Sequence, residues 1–455
     1  GATRLPDLQA LTPRLWRRLP VWDEMSADVQ ISRLLPATGG DSAYSSHPRL
    51  LRLAPPEGFE AHGDRRLGLA TDGRPLSLGR DVPLFTAAAP ASFLARQALD
   101  DLARGQTVVV VSPQRRVLNQ IQREARAAAY WLDPENTRTS AHLAVVSAAE
   151  WQRHDVDTVI ELCQDFLAAL GLNLHLPAIR TTVQHLVRIL AASAKATGHD
   201  FAFTDLYAIS QSPHTLKAFL DDLQVLEVVL DAETRTSIAY LDGQLDHDGG
   251  YLQLVTVLST ARTVLSPLRT GALHVLCQPP FLDADQTLRR PGLLLAPATH
   301  TDFPEYDRFL AALLDLTLDR VLTAHRQEMH NRDAGSPPAR PEALRLALHF
   351  HEPQRYYPDE GRQWIETARH DPRLSLLVDA QDPETYRRLS AREEERGELI
   401  FHDPGTNARA FTTDPGQAQA LDELAEMPPG TALAHLPDLP APVTLSTDGD
   451  RGART

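Results

Sequence analysis

The residues of this chain whose types and spacing suit chemistry fall in a few places. His349 and His351 stand two apart in an apolar, strand-like run and so share one face, with Glu352 directly after them. Together with His370 or His402 they form the kind of ligand set that holds Zn²⁺ in a metal-dependent hydrolase. The plainer reading is polar residues filling a cleft. Ser92 is a nucleophile by type, but no Gly-x-Ser-x-Gly elbow surrounds it. Asp155 to Asp157, and Asp242 with His247 and Asp248, read as helix ends and loops in solvent rather than as metal ligands; Glu393 to Glu395 reads as a solvated helix face. Near the start, Arg14, Arg17 and Arg18 are interleaved with Trp16 and Trp22, a pairing suited to a partner, a second subunit or nucleic acid, with plain surface as the alternative. Phosphate chemistry asks for more: a loop with Gly for close backbone approach, Lys for charge and a hydroxyl for Mg²⁺. The two lysines, Lys195 and Lys217, follow Ala194 and Leu216, so no Gly-Lys pair exists anywhere in the chain.

The elements that must position these residues change texture along the chain. Residues 1–80 are broken by Pro, Arg and Gly and read as a small β-rich region. From 81 to 149 the pattern is β-α-β-α-β: a strand over Val82–Ala87, a helix over Ala91–Ala103, a β-branched strand over Thr107–Ser112, a helix over Arg115–Ala128 and an apolar piece at Tyr130–Leu132. Residues 150–270 show apolar side chains at helical spacing only, for instance Val159, Leu162, Phe166 and Leu170, and read as an all-α domain. From 271 to 425 the α/β texture returns, with strands at Leu293–Ala296, Leu344–Phe350, Leu374–Val378 and Leu399–Phe401. Helices are expected over Phe309–Gln327, Asp359–His370 and Pro383–Arg392, with a connector at Asp333–Pro341. Residues 426–455 are Pro-rich and read as an extended arm. A parallel α/β sheet interrupted by an all-α domain is the expected architecture.

Composition bounds the function. The chain has 455 residues, a formal net charge of −15 and 42% apolar residues, ordinary for a globular chain and opposed to a broad nucleic-acid surface. Two isolated cysteines, Cys163 and Cys277, make neither a disulfide framework nor a metal motif, which fits a reducing cytoplasm. No apolar run nears the ~20 residues of a membrane span. Membrane association would come through a partner or a trimmed N-terminus.

The order of these pieces resembles the conjugative coupling proteins of type IV secretion, members of the FtsK–HerA superfamily of ring-forming, DNA-pumping ATPases. Leu67–Asp81 resembles the strand pair before that family's phosphate loop; Gln106–Arg115 with Tyr130–Pro134 resembles its second strand and the Leu-Asp-Pro that follows. Cys277–Leu295 resembles the approach to its next core strand, Ala343–Gln381 its Walker B and sensor region, and Pro428–Thr447 its Pro-rich tail. The resemblance implies a RecA-like P-loop NTPase-type sheet with an all-α insertion. It also exposes departures. The stretch matching the phosphate loop runs Thr86 to Phe93: Thr86 and Ala91 stand where the glycines belong, Pro90 removes a backbone donor, Ser92 replaces the Lys and Phe93 replaces the Mg²⁺-binding hydroxyl. At the Walker B position His351 replaces the metal-binding acid, and imidazole is a poor partner for hard Mg²⁺, while Glu352 matches the second acid. Gln381 matches the sensor and Arg369 lies near a family arginine.

These departures lead to the expectation of a pseudo-ATPase with no cofactor and no metal. It would act as a structural or regulatory subunit in a DNA-transfer, mobile-element or defence assembly, partnered by an intact ATPase or another protein. DNA contact would be indirect, and assembly into an oligomer is compatible with the family. The alternatives are a non-hydrolysing DNA-binding module and a metal-dependent hydrolase rebuilt around His349, His351 and Glu352.

Overall fold

The computed structural model describes residues 65–70, 75–79, 82–125, 129–133, 135–138, 140–152, 154–223, 230–269, 271–278, 281–282, 292–298, 308–309, 311–318, 322, 346–355, 374–390, 396–402, 407–412, 420–422, 424, 426–428, 431–437 and 442–446. Arg14, Trp16, Arg17, Arg18 and Trp22 lie outside the described residues, as do the connector at 333–341, the helix expected over 359–370 with Arg369 and His370, part of that expected over 309–327, and Glu393 to Glu395.

In chain order the elements begin β1 (Arg65–Ala70), β2 (Pro75–Leu78), β3 (Leu84–Ala87), α1 (Ala91–Ala103), β4 (Thr107–Ser112), α2 (Arg115–Ala125) and β5 (Tyr130–Trp131). Then come α3 (Val156–Ala169), α4 (Pro177–Thr197), α5 (Phe203–Ile209), α6 (Pro213–Leu223), α7 (Ala232–Asp246), α8 (Asp248–Val264) and α9 (Ala272–Leu276). The chain continues through β6 (Leu293–Pro297), β7 (Leu346–His351), β8 (Leu374–Ala380), α10 (Pro383–Ser390), β9 (Gly397–Phe401), β10 (Thr431–His435) and β11 (Val443–Ser446). They divide into two compact units, one built on the strands and one on α3–α9.

The sheet unit holds eleven described strands in the order β2-β1-β11-β10-β9-β3-β8-β7-β4-β6-β5. From β9 to β5 every neighbouring pair is parallel; from β2 to β9 every pair is antiparallel. Sequence explains the difference. β4 reads Thr-Val-Val-Val-Val-Ser and is buried along its whole length, as are β6, β7, β8 and β9, because helices and loops cover both faces of a parallel sheet. β1 and β2, at one edge, mix buried and exposed positions. On α1 and α2, Leu94, Ala98, Leu102, Val117, Leu118 and Ile121 turn into one core with Val108, Val110, Leu295 and Leu377. The chain leaves β3 toward β4 on one side, while the link from β8 to β9 passes to the other side of β3. This reversal makes the carboxyl ends of β3 and β8 the switch point of the sheet, the place where open α/β sheets bind their ligands.

The helical unit is organised by capping and by α4. Asp155 caps α3 by accepting from the Thr158 amide at 2.7 Å. α4 opens with Pro177 and stops at Gly198, whose φ of 68° lets its amide and the next one close on the last carbonyls. Phe166 packs against Phe203 at 4.1 Å and Phe309 at 5.3 Å between ring centroids, which ties α3 and α5 to residue 309. Cys163 and Cys277 are buried and their thiols are pushed up in pKa by that burial, so both sit as small apolar groups. No helix among the described residues is long and apolar enough to cross a membrane.

The structure adds to the reading of the sequence in three places. The Pro-rich end contains β10 and β11, which pair with each other and join β9 to β1; its prolines punctuate a hairpin rather than extend an arm. The β-rich region expected before residue 81 supplies β1 and β2, and these join the main sheet. The helical unit begins at 134, before the expected 150, and takes in 301–320. Non-local backbone bonds draw this stretch in: Val146 bridges Phe201, and the Leu143 amide donates to Leu276.

Candidate functional site

The switch point is assembled by register. Thr86 on β3 is opposite Asp379 on β8, and Asp379 is opposite His351 on β7. Paired residues of parallel strands share a face, so these three side chains stand in one row at the carboxyl edge of the sheet. His349, two residues back along β7, is on the same face and its Nε2 lies 2.9 Å from Asp101 of α1, so this is the face α1 covers.

Asp379 is the hub. The Thr86 hydroxyl donates to its Oδ1 at 2.8 Å, the Ala89 amide donates to the same oxygen at 3.1 Å, and the Gln381 side-chain amide donates to Oδ2 at 2.9 Å. Its backbone carbonyl accepts from the Glu352 amide at 2.7 Å. Asp379 is fully buried. Burial pushes its carboxyl up to about 6; the bonds from Thr86, Gln381 and Ala89 oppose that, and the neighbouring Glu352 charge adds to it. The two loops that close on Asp379 carry the positive-φ non-glycine residues of the described chain, Ala88 at 54° and Glu352 at 52°. Each costs roughly 1–2 kcal/mol relative to a right-handed conformation. The loops hold these shapes because Asp379 fixes both.

Around this hub the sequence-selected residues are already engaged. Ala91 is half-buried and opens α1 behind Pro90, which supplies no side-chain cap; Ser92 is exposed. Phe93 is 1% exposed and packs on Phe401 at 4.9 Å within the sheet core. Glu352 is buried, accepts from the Gln114 side chain at 2.9 Å and pairs with Arg355 at 2.5 Å. Gln381 folds back on Asp379. His351 is fully buried with neither ring nitrogen bonded, and burial, with His349 beside it, lowers its pKa to about 3, so it is neutral. Beneath it Asp101 lies between His349 and Arg65. The Arg65 guanidinium is 3.8 Å from Asp101, donates to the Leu376 carbonyl at 3.1 Å and reaches the Ser375 hydroxyl. Among the described residues no three His, Cys, Asp or Glu side chains come together to hold a metal ion.

No protein-family model matches the sequence, and no curated protein matches it. Solved structures do. The plasmid coupling protein TrwB in complex with ADP and Mg²⁺ is 15% identical, with 88% of this chain and 94% of that chain covered and a TM-score of 0.50. The unbound form of the bacterial conjugative coupling protein TrwBdeltaN70 is 15% identical over 85% and 89%, with a TM-score of 0.49. TrwB with the non-hydrolysable GTP analogue GDPNP is 14% identical over 85% and 90%, with a TM-score of 0.47.

The chain has the fold of TrwB. At these identities the likeness speaks for the architecture, a large parallel-dominated NTPase-type sheet with a helical unit inserted in sequence, as the order of elements predicted. Within this TrwB-like fold the sequence reading placed Thr86, Glu352, Gln381, His349 and His351 in one region, and the structure brings them together there. Arg369 and His370 fall outside the described residues. His402, just after β9, joins no group of metal ligands among the described residues. Sequence reasoning missed Asp379, Asp101 and Arg65. For Asp379 the signal was present: a lone acid in the otherwise apolar run Leu-Ser-Leu-Leu-Val-Asp-Ala, which has to find donors if the strand is buried.

Proposed function

We propose that this chain is a non-hydrolysing relative of the coupling proteins, acting as a structural or regulatory subunit of a DNA-transfer, mobile-element or defence assembly. Its partner would be an intact ATPase or another protein of that assembly, with DNA close by but not gripped by a broad basic surface. The observation that carries the reading is the Asp379 clasp. A phosphate-binding loop offers free amides, a hydroxyl and a lysine to an anion. Here the Thr86 hydroxyl and the Ala89 amide are spent on an internal carboxylate, Pro90 has no amide proton, and the side chain at Phe93 belongs to the core. The residues present do not fit Mg-nucleotide. A phosphate brought to ~4 Å from ionised Asp379 meets a repulsion of ~4 kcal/mol at an effective dielectric of about 20, roughly a thousandfold in affinity.

The test is a titration of the purified chain with fluorescent ATP, with and without Mg²⁺, followed by a hydrolysis assay. The expected result is no saturable binding up to about 1 mM, the ~4 kcal/mol end of the affinity scale. Saturable binding in the micromolar range, or hydrolysis above background, overturns the proposal and returns Glu352 and Gln381 as working groups.

A further inference from the structure

The outer face of α8 is exposed along its length. Leu254, Val257, Leu258 and Ala261 turn into the helical unit and are buried. On the other side Asp248, Leu252, Thr256, Ser259 and Thr263 follow one another at helical spacing, so they share a face, and all five are exposed. Tyr251 and Arg262, about three turns apart, stand along one flank of that face and are exposed as well. Tyr251 and Leu252, at 42% and 69% exposure, belong with Leu176 to the exposed large apolar side chains of the described residues. Gly249, in the first turn, has nothing within 4 Å of the position a Cβ would take, so the surface there is open. The charge is sorted by position. In a chain with 60 acids none occurs between Asp248 and Asp283, while that stretch carries Arg262 and Arg269, both exposed. The acid of α8 therefore stands in its first turn and its base in its last. Large apolar groups on an open face rimmed by charge mark a contact surface.

We propose that a second copy of the chain docks on this face through its own α8, the two helices running antiparallel about a two-fold axis that crosses α8 near Thr256. Charge complementarity selects this occupant. A two-fold contact places the same patch on both partners, so the acidic start of one helix lies against the basic end of the other. Asp248, with exposed Asp246 just before it, comes level with Arg262 of the second copy, and Arg269 of the second copy follows. The flank that carries Tyr251 also receives Arg262 of the second copy, which suits a cation over an aromatic ring. Leu252 comes level with Ser259 of the second copy, whose small side chain leaves it room. The dipoles of antiparallel helices attract at both ends. A parallel pairing would instead set Asp248 against Asp248 and Arg262 against Arg262. At a net charge of −15, two copies repel each other over most of their surface, so self-association favours a face from which acids are withdrawn. The 17 residues of α8 give a footprint of ~25 Å by ~10 Å, small beside a standard interface, so the dimer is weak and concentration-dependent. The contact uses the helical unit alone and does not depend on whether the chain binds nucleotide.

The experiment follows the full chain by sedimentation velocity over ~1–100 µM, the range of weak interfaces, where the parent is expected to pass from monomer to dimer. Asp248→Arg and Arg262→Asp each turn both symmetric contacts from attraction to repulsion and should weaken association about tenfold. An equimolar mixture of the two variants should restore it, because each contact then joins opposite charges again. A second readout uses geometry. Thr256→Cys, near the axis, meets its own copy and should be joined into a dimer by a short bismaleimide, whereas Glu161→Cys, exposed on α3, should not. Cys163 and Cys277 are buried and do not compete for the reagent. A parent that stays monomeric up to ~100 µM overturns the proposal. So does association that both charge variants leave unchanged, a mixture no tighter than its components, or Thr256→Cys linked no better than Glu161→Cys.

Discussion

Replacing Asp379 by Asn isolates what the buried carboxylate does to the fold. The folded chain holds the Asp379 proton with a pKa of about 6, against an ordinary 3.8. The folded state therefore binds the proton more tightly than the unfolded chain, so stability from this group is fully present below about pH 4 and is lost as pH rises through about 6. The shift of ~2 pH units corresponds to ~3 kcal/mol at ~1.4 kcal/mol per unit. Asn keeps an acceptor for Thr86 and Ala89 and carries no charge, provided Gln381 turns its carbonyl toward the new amide. Trading charge-assisted bonds for neutral ones returns ~1 kcal/mol of the gain. The expected result is Asp379→Asn more stable than the parent by ~1–2 kcal/mol at pH 7.5, the advantage shrinking to nothing or reversing near pH 4.5. Hydrogen exchange followed by mass spectrometry, read on β8 peptides across that range, reports the sheet unit without assuming that the whole chain unfolds in one step. His351 stays neutral throughout, so the difference between the curves belongs to the Asp379 charge together with its repulsion by Glu352. A difference that is flat with pH, or a variant less stable at pH 7.5, refutes the reasoning and means the three donors outweigh burial.

Other substitutions probe the residues packed around the same switch point. Phe93→Ala leaves a cavity against Phe401 and should cost ~3–5 kcal/mol in urea unfolding of the sheet unit; a cost under ~1 kcal/mol means the position is not core. Ala88→Gly relieves a left-handed alanine at φ 54° and should raise stability by ~0.5–1 kcal/mol, seen as a higher melting temperature, after the entropy a glycine loses on folding. Asp101→Ala removes the acid between Arg65 and His349 and leaves a buried guanidinium, at a cost of ~3–5 kcal/mol; adding Arg65→Met should recover most of it in the same unfolding assay.

The sequence by itself determined the elements that carry local signals. β4 is legible because a continuous β-branched run has one stable setting, a strand with apolar cover on both faces. The helices of residues 150–270 are legible because 3.6-residue periodicity, a capping Asp155, Pro177 at a start and Gly198 at an end are all local signals. The absence of a Gly-Lys pair is a property of the string alone. What tertiary structure decided is which polar groups meet. Thr86 and Asp379 are 293 positions apart in sequence, and only the β3–β8 register puts one opposite the other. Arg65 lies in a Pro- and Arg-rich stretch that no local pattern marks as core, yet it is 1% exposed because β1 joins the main sheet, with β11 at its side and α1 packed against it. The Pro-rich end became β10 and β11 for the same reason: strands are stabilised by partners far away in sequence, and no local pattern names those partners.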